Sequence, residues 1–113
     1  MKMRCGKSDA VPRLVLRPAA EADLANIYHY ISERAGAAVA IRYIRRVRDW
    51  CNQLLVFPEA GRARGDLRPG VRILTFERRV VIAYAILSSG DVEIGRFFYG
   101  GRDYEAIIGS DQY

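Results

Sequence analysis

The chain has 113 residues, half of them apolar, and its 18 basic and 13 acidic residues give a formal net charge of +5. This length fits one domain of roughly 100 to 200 residues, and the apolar half is enough to build a core. No apolar run approaches the roughly 18 residues of a membrane span, and the start of the chain has no apolar leader segment. We therefore expect one folded domain in the cytoplasm, without a membrane partner.

The first third of the chain predicts a tail, a strand and a helix. Residues 1–12 lack periodicity, so we expect a flexible N-terminal tail ahead of a domain that spans residues 13–108. Residues 13–17 (RLVLR) are typical of a short strand, because Pro18 cannot continue a ladder but suits the first turn of a helix. From there to about residue 34, apolar side chains recur at helical spacing. These are Leu24, Ile27, Tyr28 and Ile31.

A second helix is predicted from about residue 37 to residue 57, followed by a loop. Its apolar stripe consists of Ala40, Ile44, Val47, Cys51 and Leu54, with Tyr43, Trp50 and Leu55 widening it. Gly36 interrupts the helical pattern, and so short a connection indicates that the two helices form an antiparallel hairpin. Residues 58–70 contain three glycines and two prolines, which is typical of a loop.

Beyond the loop the sequence predicts three more strands and a short terminal helix. The strands lie at residues 71–76, 80–86 and 92–99, and the tight turns between them are typical of an antiparallel meander. Residues 102–108 are expected to form the helix, and residues 109–113 a C-terminal tail. The order is therefore βααβββ, an α+β fold in which a helical hairpin packs on one face of a small antiparallel sheet.

Side-chain alternation along the strand at residues 71–76 predicts two different faces. We expect Val71 and Ile73 to face the helices, with Trp50 and Tyr84 largely buried between the two layers. The residues expected on the opposite, open and concave face are Arg72, Leu74 and Phe76. Arg102 follows the last strand and would close the end of that face, so an open sheet with cationic edges is a candidate binding surface.

Positive charge concentrates in the middle of the chain. Between residues 34 and 79 there are eleven arginines and four acids, which leaves a net charge of +7. A concentrated cationic region indicates an anionic partner, either a nucleic acid or an acidic protein segment. Solvated helix faces would give the same count, so charge alone does not decide between these interpretations.

Residue types suited to catalysis or metal binding are scarce. His29 is the single histidine and is expected on the solvent side of the first helix, while Cys51 is expected in the core and Cys5 lies in the tail. One histidine and two cysteines do not supply a zinc ligand set. No phosphate-binding or dinucleotide-binding glycine motif occurs. We expect neither a metal nor a cofactor.

Four stretches of the sequence carry a resemblance to a known family. They are RPAAEADLANIYHYISER, FPEAGRAR, PGVRILTFERRVVIAYAI and VEIGRFFYGGRDYEAII. Together they resemble the ParE/RelE superfamily of type II toxin-antitoxin toxins over about residues 13 to 108, and the final GGRDYEAII motif is closer to the ParE branch. The resemblance implies a bacterial toxin of the plasmid-stabilisation type. It also implies a hetero-oligomer with a small, acidic, ParD-like antitoxin.

The superfamily divides by target, so the resemblance leaves two functions open. ParE-like members inhibit DNA gyrase without known hydrolytic chemistry, whereas RelE-like members are ribosome-dependent mRNA interferases. In the RelE pattern, Arg72 and Arg102 fall at basic positions. Three positions depart from it: Leu74 replaces a second basic residue, Val81 the middle strand's arginine, and Ile108 the tyrosine. In this alternative function, Tyr104 and Tyr99 are the candidates for the missing proton-transfer group, beside Arg72 and Arg102.

These departures favour inhibition of a protein target over cleavage. Attack of a ribose hydroxyl on phosphate needs a proton acceptor, charge neutralisation and a proton donor. We therefore predict a gyrase inhibitor without turnover of its own, with the mRNA interferase as the alternative. Direct nucleic-acid binding is expected only in the ribosomal alternative. The residues predicted to bind the protein partner are Arg72, Leu74, Phe76, Arg78, Arg79 and Arg102.

Overall fold

A computed structural model describes residues 11–113 of the chain. The elements are β1 (Leu14–Leu16), α1 (Pro18–Ala35), α2 (Ala37–Asn52), a 3-10 turn (Gln53–Leu55), β2 (Arg62–Ala63), β3 (Arg72–Phe76), β4 (Val80–Ile86), β5 (Val92–Tyr99) and α3 (Tyr104–Ile108). Most of the predicted tail at residues 1–12, including Cys5, lies outside the described residues. No helix among residues 11–113 has the length and apolar character needed to cross a membrane.

The five strands form one sheet in the order β1-β5-β4-β3-β2. The α+β class and the helical hairpin are confirmed, but the sheet is mixed rather than wholly antiparallel. β1 runs parallel to β5. This pairing is possible because α1 and α2 form a long connection between β1 and the remaining strands. The predicted loop also contributes β2, whose two residues pair with Arg72 and Ile73 at the outer edge of β3.

The two helices begin and end where local chemistry requires. Pro18 occupies the first turn of α1, where its missing N–H costs nothing. Gly36 has a φ of 96°, a left-handed value that favours glycine and lets α2 begin one residue later. α2 ends at Asn52, earlier than predicted, and a 3-10 turn follows it. Val56 and Phe57, which were assigned to the helix, are 70% and 65% exposed.

The main core lies between the helical hairpin and one face of the sheet. Tyr84 is fully buried there, as predicted, and its hydroxyl donates to the carbonyl of Pro58 (2.6 Å) and accepts from the N–H of Gly61 (2.9 Å). Trp50 was expected to be largely buried, but it is 39% exposed. It lies over the edge of the sheet, where its indole N–H donates to the carbonyl of Thr75 (3.0 Å).

The faces of β3 are the reverse of the prediction. Leu74 and Phe76 pack with the helix-side core, whereas Val71 and Ile73 belong to a second cluster on the opposite face. That second face is not open, because α3 and the C-terminal residues cover it. All four of these side chains are apolar, so alternation showed that β3 has two faces but could not show which one meets the helices.

Candidate partner-binding site

Arg72 lies on the helix side of the sheet, not on the face predicted for it. Its guanidinium donates to the carbonyl of Gly61 (3.0 Å) and to that of Glu59 (3.3 Å). These contacts hold the loop that precedes β2 against β3. Arg72 therefore has a structural task, and its half-buried side chain has little freedom to reach a partner.

Arg102 lies at the other end of the sheet. Arg72 is level with Tyr84 and Ile94, whereas Tyr99, at the end of β5, is level with Phe76. Four residues of β3 separate these levels, which corresponds to about 13 Å at 3.3 Å per residue. The two arginines that match the RelE pattern are therefore not brought together.

Arg78 and Arg79 lie at the exposed tip of the turn between β3 and β4. Glu77 and Arg78 have φ values of 52° and 60°, so two successive left-handed residues make the turn without the usual glycine, and the Arg79 N–H donates to the Phe76 carbonyl (2.9 Å). An ion pair between Arg46 on α2 and Glu77 fixes one side of the tip. Phe76, just before the turn, is only 5% exposed. It supports the tip from below and presents little surface of its own.

The tyrosines considered for proton transfer lie on opposite faces of the sheet. Tyr99 packs edge-on against Tyr30 and Tyr43 on the helix side, with ring centroids 5.5 and 6.1 Å apart. Tyr104 lies against Phe98 on the other face, at 6.2 Å. Burial raises the pKa of Tyr43, the third member of the helix-side group, and its hydroxyl has no hydrogen-bond partner among residues 11–113.

The positions that depart from the RelE pattern are built into the packing of the sheet. Leu74 packs against the helix-side core, while Val81 and the fully buried Ile108 pack in the second cluster. These side chains carry no group that could transfer a proton or neutralise a phosphate. Their role in the described residues is to fill the two cores.

An ion pair that the sequence interpretation did not identify links α1 to β5. The guanidinium of Arg96 donates to both carboxylate oxygens of Asp23, at 2.7 and 3.0 Å. The same carboxylate accepts from the N–H of Phe97 (2.9 Å). Gly95 is the extra residue of a bulge, since Ala83 pairs with Arg96 and the next residue of β4 pairs with Ile94. The signal in the sequence is an acid on the apolar stripe of α1, one residue before Leu24.

A cleft of about 290 Å³ opens beside this ion pair, between α1 and the end of β5. Its lining residues are Asp23, Asn26, Ile27, Tyr30, Phe97, Tyr99, Gly100 and Arg102. Gly100 and Gly101 have φ values of 77° and 80°, and this left-handed pair turns the chain so that Arg102 follows at the rim. The cleft therefore combines aromatic walls with an exposed cation.

Histidine and cysteine chemistry is not assembled in the described part of the chain. His29 is exposed on α1, as predicted. Cys51 is buried in the main core, also as predicted, and burial raises the pKa of its thiol to about 12. Among residues 11–113 no three potential metal ligands of the His, Cys, Asp or Glu type lie together.

Residues 14–104 match the family model described as the ParE toxin of the type II toxin-antitoxin system parDE. The chain belongs to the ParE toxin family. It is thus the toxin component of a type II toxin-antitoxin system, which agrees with the resemblance found in the sequence. Toxin ParE3 of Caulobacter vibrioides is 33% identical over 87 residues, which cover 77% of this chain and 85% of that protein. Toxin ParE1 of Mycobacterium tuberculosis is 28% identical over 93 residues, covering 82% and 94%.

A solved structure shares the fold of this ParE-family chain. It is titled as a chromosomal ParDE toxin-antitoxin system from P. aeruginosa, and it matches with a TM-score of 0.69. The match covers 79% of this chain and 96% of the other, at 24% sequence identity. At this identity the comparison shows the fold, and it is consistent with the α+β class.

Proposed function

We propose that this ParE-family toxin inhibits DNA gyrase by binding it, and that an acidic ParD-like antitoxin neutralises it in the bacterial cytoplasm. The observation that carries the proposal is the separation of the groups that phosphate cleavage would need. Arg72 and Arg102 lie at opposite ends of the sheet. Tyr99 and Tyr104 lie on opposite faces. A protein that acts by binding needs no such convergence.

The chemistry of cleavage explains why that separation matters. The attacking hydroxyl must lose a proton while the phosphate charge is neutralised, and the general base or acid must be within about 3 Å of the oxygen with which it exchanges the proton. Arg102 alone could neutralise charge but could not accept a proton, because a guanidinium has donors and no acceptor. Electrostatic contact without acid-base chemistry supports inhibition over turnover.

The exposed charge favours an acidic antitoxin. Arg78, Arg79 and Arg102 are all exposed. The turn that carries Arg78 and Arg79 lies beside the end of β5 that leads to Arg102, because the Gly100 N–H donates to the Arg79 carbonyl (3.1 Å). Acidic, disordered segments fold on surfaces of this kind. The predicted binding role of these arginines stays a prediction, as do those of Leu74, Phe76 and Arg72.

Purified toxin added to DNA gyrase tests the proposed target. We expect loss of supercoiling, and in cells that make the toxin without antitoxin we expect halted replication, filamentous growth and intact early protein synthesis. Primer extension on translated mRNA is the opposing measurement. Codon-phased cuts within minutes, with supercoiling unaffected, would replace this proposal with the ribosome-dependent mRNA interferase.

Calorimetry with the product of the neighbouring reading frame tests the antitoxin half. We expect affinity to fall as salt rises, because exposed ion pairs are screened over about 10 Å at 0.1 M salt. Arg102→Glu should weaken binding at least about tenfold. Arg42→Glu changes another exposed arginine, on α2, that does not line the cleft, and it should leave affinity within about twofold. Affinity that ignores both salt and Arg102→Glu would contradict the electrostatic argument.

A further inference from the structure

β5 lacks a neighbouring strand along half of one edge. β1 pairs only with Val92–Ile94, although β5 continues to Tyr99. The Gly100 N–H points towards β4, where it meets the Arg79 carbonyl, so strand alternation directs the N–H groups of Phe97 and Tyr99 the other way. The outer edge of β5 is therefore presented to the space beside α1.

The backbone groups at this edge differ in whether they are satisfied. The Phe97 N–H donates to the carboxylate of Asp23. No side chain or loop among residues 11–113 accepts a hydrogen bond from the Tyr99 N–H. A strand edge with a free donor is a template for pairing with another chain. Asp23 thus occupies the edge at Phe97, and the edge remains open at Tyr99, the next residue whose N–H points outwards.

The 290 Å³ cleft runs along this open edge. We call it the β5 notch. Asn26 and Tyr30 of α1 form one wall and Tyr99 forms the other, while the buried Ile27 and Phe97 lie beneath them. A main-chain edge beside an apolar wall suits an extended peptide, which gains hydrogen bonds from the edge and side-chain contacts from the wall.

The unpaired charge on the lining of the β5 notch is positive. Asp23 is neutralised by its two hydrogen bonds to Arg96. Arg102 at the rim is exposed, and Arg34 stacks over the Tyr30 ring at 3.7 Å. Neither arginine forms an ion pair with an acid among residues 11–113. Asp103, beside Arg102, is engaged as the cap of α3 through the Ala106 N–H.

We propose that the β5 notch binds an extended, acidic peptide segment that adds to β5 as a short strand in line with β1. The segment would take the Tyr99 N–H as a main-chain partner, place an apolar side chain against the Tyr30 and Tyr99 rings, and direct acids towards Arg102 and Arg34. This inference deepens the antitoxin half of the proposed function and rests on it for the natural source of the segment.

A capped peptide of alternating valine and glutamate, roughly six residues long, is the probe. Its control is the same peptide methylated on its central amide nitrogens, which keeps the charge and side chains but removes the main-chain donors. We expect the control to bind at least about tenfold more weakly, because its central amides can no longer donate to the carbonyls of Phe97 and Tyr99, which point outwards with the N–H groups of the same residues. Binding of the unmodified peptide should slow hydrogen exchange of the Tyr99 amide by about tenfold or more.

Two arginine variants test the charge. Arg102→Glu should weaken the peptide at least about tenfold, and Arg42→Glu should stay within about twofold. Any of three results would overturn the proposal: equal affinity for the two peptides, no binding at millimolar peptide, or a Tyr99 amide that the peptide does not protect from exchange. So would a short single-stranded oligonucleotide that displaces the peptide with the same dependence on Arg102. The peptide assay contains no gyrase, so the two proposals can fail separately. If the toxin inhibits supercoiling but does not bind the peptide, only the binding role of the β5 notch is refuted. If it binds the peptide but does not inhibit supercoiling, only the gyrase target is refuted.

Discussion

The two faces of the sheet are closed by very different means. The helix face is covered by α1 and α2, with 18 and 16 residues, and its core includes the fully buried Tyr84. The opposite face is covered by α3, with five residues, and by the C-terminal segment that follows it. The first face is stabilised mainly by apolar packing, whereas the second depends on polar contacts that hold a short segment in place.

Arginines hold the covering of the second face. Arg68 donates to the carbonyls of Ile108 (3.0 Å) and Ser110 (2.8 Å), and Arg96 donates to that of Gln112 (2.9 Å). The Tyr113 ring lies 4.7 Å from the Arg68 guanidinium and 5.4 Å from that of Arg17. Part of the cationic charge in the sequence is therefore structural. The surplus of +7 in the middle of the chain overstates the charge that is free to meet a partner.

Adjacent phenylalanines on β5 give the most direct test of this difference. Phe97 and Phe98 are each 1% exposed, but they face the helix-side core and the second cluster respectively. We expect Phe97→Ala to lower the free energy of unfolding by about 4 to 5 kcal/mol, and Phe98→Ala by about 3, because a thin covering collapses into a cavity more easily. Chemical denaturation measures both. Equal losses would show that the two faces are equally rigid.

The Asp23–Arg96 pair joins the two faces and carries the next largest effect. Both side chains are largely buried, at 7% and 12% exposure. Asp23→Asn should cost about 3 kcal/mol, since it leaves the Arg96 charge without its partner. Glu21→Gln is the matched control on the same helix. Its exposed pair with Arg48 should contribute less than about 1 kcal/mol. A small loss for Asp23→Asn would mean that Gln112 alone holds Arg96.

Sequence reasoning succeeded where one period or one residue type decided the outcome. The helical hairpin at Gly36 and the burial of Tyr84 followed from apolar spacing. The faces of β3 could not be predicted, because both are apolar and register depends on long-range pairing. Trp50 was misplaced because the helix stripe does not reveal where the sheet ends, and the indole N–H finds its partner at that edge.

The candidate site was predicted less completely than the fold. Arg102, Arg78 and Arg79 are exposed at one end of the molecule, in agreement with a surface role that is still to be tested. Arg72 was grouped with them by strand parity, yet its partners are carbonyls of a neighbouring loop. Asp23 was not among the predicted site residues. Its contact with β5 joins residues 73 positions apart, which no local pattern encodes.

A glycine beneath the C-terminal residue provides a sharper test of the second face. A Cβ added at Gly95 would overlap the Tyr113 hydroxyl. We expect Gly95→Ala to destabilise the protein by about 1 to 2 kcal/mol and to increase hydrogen exchange in residues 109–113. Tyr113→Ala in the same chain should remove most of that additional loss. If Gly95→Ala lowers the free energy of unfolding equally in the parent and Tyr113→Ala chains, the loss arises from the bulge itself and not from the C-terminal covering.

The smallest expected effect is a pH dependence that differs between the faces. Burial raises the pKa of the Cys51 thiol from 9.0 to about 12 in the helix-side core. Because the unfolded chain ionises first, the stability that this thiol contributes is complete below pH 9 and is lost as pH rises towards 12. At pH 10 the loss is on the order of 1 kcal/mol. On the second face, burial also raises the pKa of Tyr113, but Arg17 and Arg68 oppose the rise.

The Tyr113 contribution therefore has the same sign as that of Cys51, and it is lost only above the ordinary tyrosine pKa of about 10. Denaturant titrations at pH 8, 9 and 10 on the parent, Cys51→Ala and Tyr113→Phe chains separate the two groups. We expect Cys51→Ala to flatten the decline between pH 9 and 10, while Tyr113→Phe leaves it nearly unchanged. An equally steep decline in Cys51→Ala would show that this thiol does not cause it, and the contrast between a dry face and a polar one would fail.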